Sequence, residues 1–457
     1  MAKAIKLCEI AEEFVQHQDF ADDLAYCFGH DTFYLWNDYY YKKLNDDEFT
    51  IEVRLFVRTK FPTFNVTTNT LRDIINQVKM ICNLRVENTN QKFAALKDRY
   101  LNLETFETLP TDKEKLVAFS FPYTSEELHT TTTKNFNHFL SSSLTKEEDN
   151  KKTDEDLVDY VQEMFGFFLL ANLNSAGAFF LLGNGANGKS ILTYILQEMF
   201  TPEYYSAMSI QDMTTDKFAG VNLIGKKINI SNEEESKYLR SDKFKAMITG
   251  NPIKMEYKFG KSFMYAPRTK YIFASNELPT FEGLNYGVRR RIKIIPFFRM
   301  FKDDDPDIIP ESLMQSRLQV ELPGIINWAI QGAKKFVKNN YVFNVPKASK
   351  KALKVFEEDM SSSVQFVRTH YNVSKEQWIA NDDIYEEYKF WCHKNGRKSV
   401  ASARFHKEVL ATVEGLKAES KYNNKSGRTM RCKNLELITN VPQKVDVTNT
   451  DNLGEVF

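Results

Sequence analysis

Cysteine is scarce and scattered in this 457-residue chain: Cys8, Cys27, Cys82, Cys392 and Cys432, with no Cys-x-x-Cys pair. That spacing offers no zinc module and no disulfide framework, and it suits a reducing, intracellular compartment. The seven histidines form no His-Glu-x-x-His pattern, so a catalytic zinc site is not expected. Glycine and proline are few, 18 and 13, which excludes collagen-like and linker-like chains. Neither sign of charge prevails, with 61 basic and 61 acidic residues. A uniformly basic nucleic-acid coat is therefore excluded, and any polyanion site must be a local patch. No apolar run approaches the ~20 residues of a membrane-spanning helix, and the N-terminus lacks the apolar core of a secretion signal. The expectation is a soluble, intracellular globular protein of about three domains.

What is present divides into three regions, 1–154, 155–345 and 346–457. The first reads as an α+β or mainly helical domain. It ends in a polar stretch, Thr130 to Asp154, that reads as a solvated linker or, alternatively, the charged face of a helix. The aromatic-rich run from Asp31 to Tyr41 predicts a small hairpin, either packed or serving as a stacking platform. From Glu155 the apolar residues Leu157, Val161, Met164, Phe165 and Phe168 fall at helical spacing. Ala178 to Leu182 is a short, wholly apolar run ending in glycine, as expected of a strand buried on both faces of a parallel sheet. Helical spacing returns from Ser190, and further strands are predicted over Lys227–Ser231, Tyr271–Ser275 and Ile292–Phe298. Strands alternating with helices argue for α/β layering.

Between the first strand and its helix stands Gly183-Asn184-Gly185-Ala186-Asn187-Gly188-Lys189-Ser190. This matches G-x-x-x-x-G-K-[ST], the phosphate-loop pattern. Glycines let backbone N–H groups turn toward phosphate oxygens, and the helix that follows aims its positive end at them. Lys189 can reach the outer phosphates and Ser190 can ligate Mg²⁺. An ATPase also needs carboxylates near the metal, and Lys227 to Glu235 reads as a strand ending in acids. The next strand ends at Asn276, a residue type able to orient a water or contact the γ-phosphate. Arg289-Arg290-Arg291 precedes the last strand, either as a solvated basic edge or as an arginine finger for a neighbouring subunit.

In order and compactness these motifs resemble superfamily 3 helicases of the viral and phage primase–helicase type. They fit within about 110 residues. Thr249-Gly250-Asn251-Pro252-Ile253, Ala274 to Pro279, Arg290 to Phe297 and Glu321 to Ala329 each resemble a stretch of that family, although Asn251 stands where relatives often have Asp and Arg289 where an aromatic is common. The resemblance implies a P-loop, AAA+-like ATPase core with a parallel sheet, a mainly helical N-terminal domain and a small winged-helix-like C-terminal domain. It implies Gly188, Lys189 and Ser190 as the phosphate and Mg²⁺ site. Glu233 and Glu234 become the metal-side acids, with Glu233 the metal ligand and Glu235 leaving the register open by one. Asn276 becomes the γ-phosphate sensor, and Arg290, or failing it Arg291, the finger in trans.

Ile253 to Tyr265 alternates in period two, with Ile253, Met255, Tyr257 and Phe259 facing one way and Lys254, Glu256 and Lys258 the other. It resembles the family's pore hairpin, in which Lys254, Lys258 and Lys261 would meet DNA phosphates while Phe259 stacks on sugar or base. Residues 350–440 predict a helix, a basic turn at Lys394–Lys398, a helix and a basic hairpin: a winged-helix module or a helical lid. No carboxylate set for primer synthesis is found, so a primase or polymerase is expected on another chain or domain. Two functions follow: an ATP-driven helicase unwinding single-stranded or forked DNA as a ring, expected to be hexameric, or an ATP-regulated initiator or loader that binds DNA without unwinding it.

Overall fold

The computed structural model describes residues 6–438 except 18, 83, 172–176, 233–237, 259, 283–290, 303, 304, 306, 414 and 424–427. It resolves into two compact units, Met1–Ala352 and Leu353–Phe457.

The first unit begins with α1 (Leu7–Val15), β1 (Leu24–Cys27), β2 (Thr32–Asn37), β3 (Tyr40–Lys43), α2 (Asp46–Lys60), α3 (Thr68–Ile81) and β4 (Leu84–Val86). The strands form a sheet in the order β3-β2-β1-β4, packed through Phe14, Phe33, Phe49, Val53 and Ile74. The boundaries of α2 follow from its sequence. The Asn45 side chain accepts the Asp47 N–H at 2.9 Å, acids fill the first turn, and Arg58 and Lys60 close the last; both charge placements complement the helix dipole. The predicted aromatic hairpin is β2–β3, and it is packed: Tyr34 and Tyr41 are buried, and Trp36 leans on their cluster. A second small sheet, β5 (Phe93–Ala95), β6 (Tyr100–Asn102) and β7 (Thr108–Leu109), follows. Of the two readings of this region, α+β and mainly helical, the seven strands among its described residues fit the first. Most are three or four residues long, too short for period-two alternation to be visible in the sequence.

Helix α4 (Ser125–Thr130) leads into the stretch read as a linker or the charged face of a helix, and α5 (Lys134–Ser143) lies within it. Phe136, Phe139 and Leu140, at helical spacing, are buried among the polar residues. Three apolar residues on one stripe suffice to dock a helix of this length, whatever the average polarity. The N-terminus of α5 has no cap from its own side chains. Glu321, far along the chain, supplies one: its carboxylate accepts the backbone N–H groups of Asn135 and Phe136, each at 2.8 Å.

The main sheet has five parallel strands in the order β16-β8-β14-β10-β9: β8 (Ala178–Leu182), β9 (Tyr205–Ser206), β10 (Ile228–Ser231), β14 (Lys270–Ser275) and β16 (Ile292–Pro296). Pro296 ends an edge strand, where a missing N–H costs no ladder bond. Between these strands lie α6 (Glu155–Leu169) before β8, α7 (Lys189–Tyr204) after it, and then α8 (Ile210–Thr215), β11 (Tyr238–Arg240), α9 (Ser241–Ile248), the hairpin β12 (Ile253–Glu256) and β13 (Ser262–Tyr265), and β15 (Thr280–Glu282). Helix α7 breaks at Thr201, which precedes Pro202 and sits at φ 53°; a residue before proline is pushed out of helical geometry. The long α10 (Glu311–Lys338) crosses α6 at two glycines. A Cβ on Gly166 would come within 1.9 Å of the Ala333 nitrogen, and one on Gly332 within 1.9 Å of the Gln162 carbonyl. The two backbones therefore touch, and no larger residue fits there. One continuous core joins Leu101, Phe136, Tyr160, Phe165, Phe179, Leu196, Ile272 and Ile326, so it takes in residues on both sides of position 154.

The second unit holds α11 (Ser362–His370), β17 (Tyr371–Val373), β18 (Ile379–Ala380), α12 (Asn381–Lys394), α13 (Ser402–Thr412), β19 (Ala418–Asn423), β20 (Arg428–Lys433) and β21 (Leu435–Leu437). Strands β18-β20-β19 form an antiparallel sheet, with a core of Phe366, Ile384, Tyr388, Phe405 and Leu435. Among the described residues no helix is long and apolar enough to cross a membrane.

Candidate functional site

The carboxyl ends of β8, β10 and β14 lie side by side, because the register pairs Phe273 with both Ser231 and Phe180. In an open parallel sheet this is the edge where ligands bind. The loop after β8 carries three residues in the left-handed region: Gly185 at φ 68°, Ala186 at 41° and Gly188 at 93°. Glycine supplies that conformation at two positions without steric cost. Ala186 is held by its neighbour, since its carbonyl accepts the Phe301 N–H at 2.8 Å. Gly183 has no room for a side chain, because a Cβ there would lie 2.4 Å from the Asn187 amide and 2.7 Å from the Phe297 carbonyl. The loop delivers the chain directly into α7, whose free N–H groups open toward the same space.

Lys189, the first residue of α7, is buried. Its ammonium donates to the Gly183 carbonyl, to Asn187 Oδ1 at 3.2 Å and to Asn276 Oδ1 at 3.2 Å. Burial holds the Lys189 pKa below the ordinary lysine range. Two residues 87 positions apart thus meet on one atom pair. Ser190 follows on an exposed position at the same helix end, and Asn232 leaves β10 beside it. These residues border a cleft of about 1030 Å³ whose other walls are Phe139 and Ser143 of α5, and Phe301, Ile309 and Met314.

Of the other expected site residues, Glu233, Glu234, Arg290 and Phe259 lie outside the described residues. Arg291 stands at the start of β16, where its carbonyl accepts the Ala178 N–H at 2.8 Å. That is the opposite edge of the sheet from Lys189, so Arg291 is not brought to its own chain's cleft. The expected hairpin forms, pairing Ile253 with Tyr265 and Glu256 with Ser262. Lys254, Lys258 and Lys261 are exposed. Met255 is buried against Gly220, whereas Tyr257, expected on the same face, is 48% exposed and stacks on Phe263. The strand ends at Glu256, so the alternation stops there.

Sequence reasoning missed residues of the cleft and of the ion pairs behind it. Phe139 and Ser143 were hidden in a stretch that reads as linker. Arg299 is almost fully buried and holds Asp305 through two bonds of 2.7 and 2.9 Å and Asp307 through one of 2.7 Å. Asp303-Asp304-Asp305 reads as a solvated run. Asp303 and Asp304 lie outside the described residues, but Asp305 serves as counter-ion to Arg299, and its pKa falls because of that bond. The order Arg-x₅-Asp-x-Asp was the available signal, a weak one without knowledge of burial.

Two stretches of the chain match known families: residues 181–291 a family of unknown function (DUF5906), and residues 358–440 the poxvirus D5 protein-like family. A putative helicase, L207/L206, of Acanthamoeba polyphaga mimivirus is 26% identical over 179 residues. The chain resembles viral and phage primase–helicases. The match to the mimivirus protein covers 37% of this chain and 18% of that protein, so the chain spans a small part of its curated relative. Among solved structures, the apo C-terminal region of NrS-1 (305–718) covers 95% of this chain and 100% of its own at TM-score 0.45 and 10% identity. Its A form covers 90% and 95% at TM-score 0.42 and 11% identity.

Proposed function

We propose that this chain is an ATP-hydrolysing motor of a viral or phage replication helicase. The observation that carries the reading is the Lys189 ammonium, held by a loop of left-handed residues and placed 3.2 Å from Asn276 at the end of the neighbouring strand. On this reading the core is a P-loop ATPase of AAA+-like type. Gly183 to Ser190 cradle the phosphates of ATP, and Lys189 neutralises charge on the outer ones. Mg²⁺ would be held by Ser190 and Glu233 and would draw charge from the β- and γ-oxygens. Of the paired acids, Glu233 and Glu234, one activates the attacking water, and Asn276 orients it. Arg290 or Arg291 completes the site of a neighbouring copy, which requires a head-to-tail ring, hexameric in this proposal. The placement of Arg291 at the far edge of the sheet supports a role outside its own cleft. Lys254, Lys258, Phe259 and Lys261 line the DNA path, and the second unit serves as a winged-helix-like module. The test is strand displacement from a forked duplex. Unwinding that requires hydrolysable ATP supports the motor; tight DNA binding with ATP turnover but no displacement assigns the chain instead to initiation or loading.

A further inference from the structure

The cleft is larger and less polar than a triphosphate needs. Lys189, Ser190 and Asn276 line it with polar groups, while Phe139 of α5 together with Phe301, Ile309 and Met314 adds a mainly apolar wall that also carries Asp307 and Glu311. Phosphate oxygens gain nothing from such a wall, whereas a flat heterocycle and its sugar do. Two buried polar atoms on the cleft lining, Ser143 Oγ and Asn187 Nδ2, have no hydrogen-bond partner among the described residues, although Ser143 is 0% and Asn187 3% exposed. Native proteins rarely leave such atoms unpaired without a reason.

The wall is fixed in place. Glu321 caps the first turn of α5 through the N–H groups of Asn135 and Phe136. Arg299 donates to the Ser142 carbonyl at the other end of that helix at 3.3 Å, while holding Asp305 and Asp307 of the segment that carries Ile309. Arg299 also lies over the Phe301 ring at 4.6 Å. Gly188 meets α5 so closely that a Cβ would come within 2.7 Å of Ser143 Oγ and 2.8 Å of Phe139. The phosphate loop and α5 are therefore set at one fixed spacing.

We infer that α5 together with Phe301, Ile309 and Met314 forms the base-and-ribose subsite of the nucleotide, in which Phe139, Phe301, Ile309 and Met314 receive a purine and Ser143 and Asn187 hydrogen-bond to its polar edge or ribose. This inference rests on the proposal that Gly183 to Ser190 bind ATP. It adds that the stretch before residue 150 selects the nucleoside.

Titration calorimetry with Mg²⁺ and either ATP or inorganic tripolyphosphate tests it. The wild-type protein binds ATP more tightly than tripolyphosphate. Phe301→Ala and Phe139→Ala each weaken ATP by about tenfold, the order expected when one ring no longer packs on the base, and leave tripolyphosphate within about twofold. Ser143→Ala weakens ATP about threefold to tenfold. If Phe139→Ala does not fold, Phe139→Leu keeps the packing on Gly188 without the aromatic face, and thermal melting shows that each variant is folded. Equal wild-type affinity for the two ligands overturns the inference, as do folded variants that keep the wild-type ratio, while the phosphate-loop reading stands. A wild-type protein that binds neither ligand overturns the nucleotide reading itself, and this inference with it.

Discussion

The two edges of the main sheet both carry buried lysines, and the two sets sit in different surroundings. At the carboxyl edge Lys189 is buried among oxygen acceptors and opens on a cleft beside a loop of left-handed residues. At the amino edge Lys227, Lys270 and Lys293 stand at the starts of β10, β14 and β16. Lys227 lies 4.5 Å over Phe119, Lys270 lies 5.1 Å over Phe167, and Lys293 lies 5.5 Å over Phe343. The Lys270 ammonium also donates to the Phe168 carbonyl at 3.4 Å and to that of Leu170, at the C-terminal end of α6. Burial brings Lys227 and Lys293 down to about 8, and Lys270 well below its ordinary range. Burial and a lowered pKa therefore do not by themselves mark a site. The amino-edge lysines meet aromatic faces and helix-end carbonyls, groups that steady a structure. Lys189 meets a loop carbonyl and two side-chain amide oxygens beside an open cleft.

The sharpest way to break this comparison is to remove one lysine from each edge. Lys189→Ala should lower ATP turnover by about 10² to 10³-fold without unfolding the protein, since the left-handed turns at Gly185 and Gly188 set the loop and one lost side-chain contact is small against the core. Turnover at the wild-type rate would withdraw the carboxyl-edge assignment. Lys227→Met should leave ATP turnover alone and change stability instead. In the unfolded chain Lys227 keeps its proton up to its ordinary value of 10.5, whereas in the fold it releases it near 8. Below pH 8 both states are protonated and the cost of the buried charge is fully present. Between pH 8 and 10 the unfolded state binds more protons, so wild-type stability should rise relative to Lys227→Met, by at most on the order of 3 kcal/mol. Denaturant titrations of both proteins across that window measure it. Parallel pH curves would withdraw the buried-charge account of Lys227, and loss of turnover in Lys227→Met would place that lysine in the working machinery. The smallest effect is expected at the hairpin. Lys258→Ala combined with Lys261→Ala should make the dependence of log affinity for single-stranded DNA on log salt shallower by about 0.7 for each phosphate no longer neutralised, equally for different sequences. An unchanged slope would remove the hairpin from the DNA path.

How much of this was readable in the sequence depends on how local each signal is. The strand–loop–helix over 178–204, the strands at 228, 270 and 292, and the 253–265 hairpin follow from apolar runs, period-two alternation and glycine positions within a few residues of one another. The short strands before residue 110 lie below the length at which alternation is visible, and α5 was masked by its polar average although Phe136, Phe139 and Leu140 already marked its buried stripe.

By itself the sequence determined the loop, because Gly185 and Gly188 take up left-handed backbone that other residues resist, and Gly188-Lys189 places an ammonium at the start of a helix. It also determined that β8 would be buried on both faces, since its residues are wholly apolar. Only the tertiary structure decided which distant groups meet that loop. Asn276 reaches Lys189 because parallel pairing sets β14 beside β8 in one register. Phe139 and Ser143 reach Gly188 because Glu321, some 180 positions later, caps the helix that carries them. Hydrogen bonds and packing of that span leave no trace in local periodicity. They depend on which surfaces are left to pack once the sheet has formed.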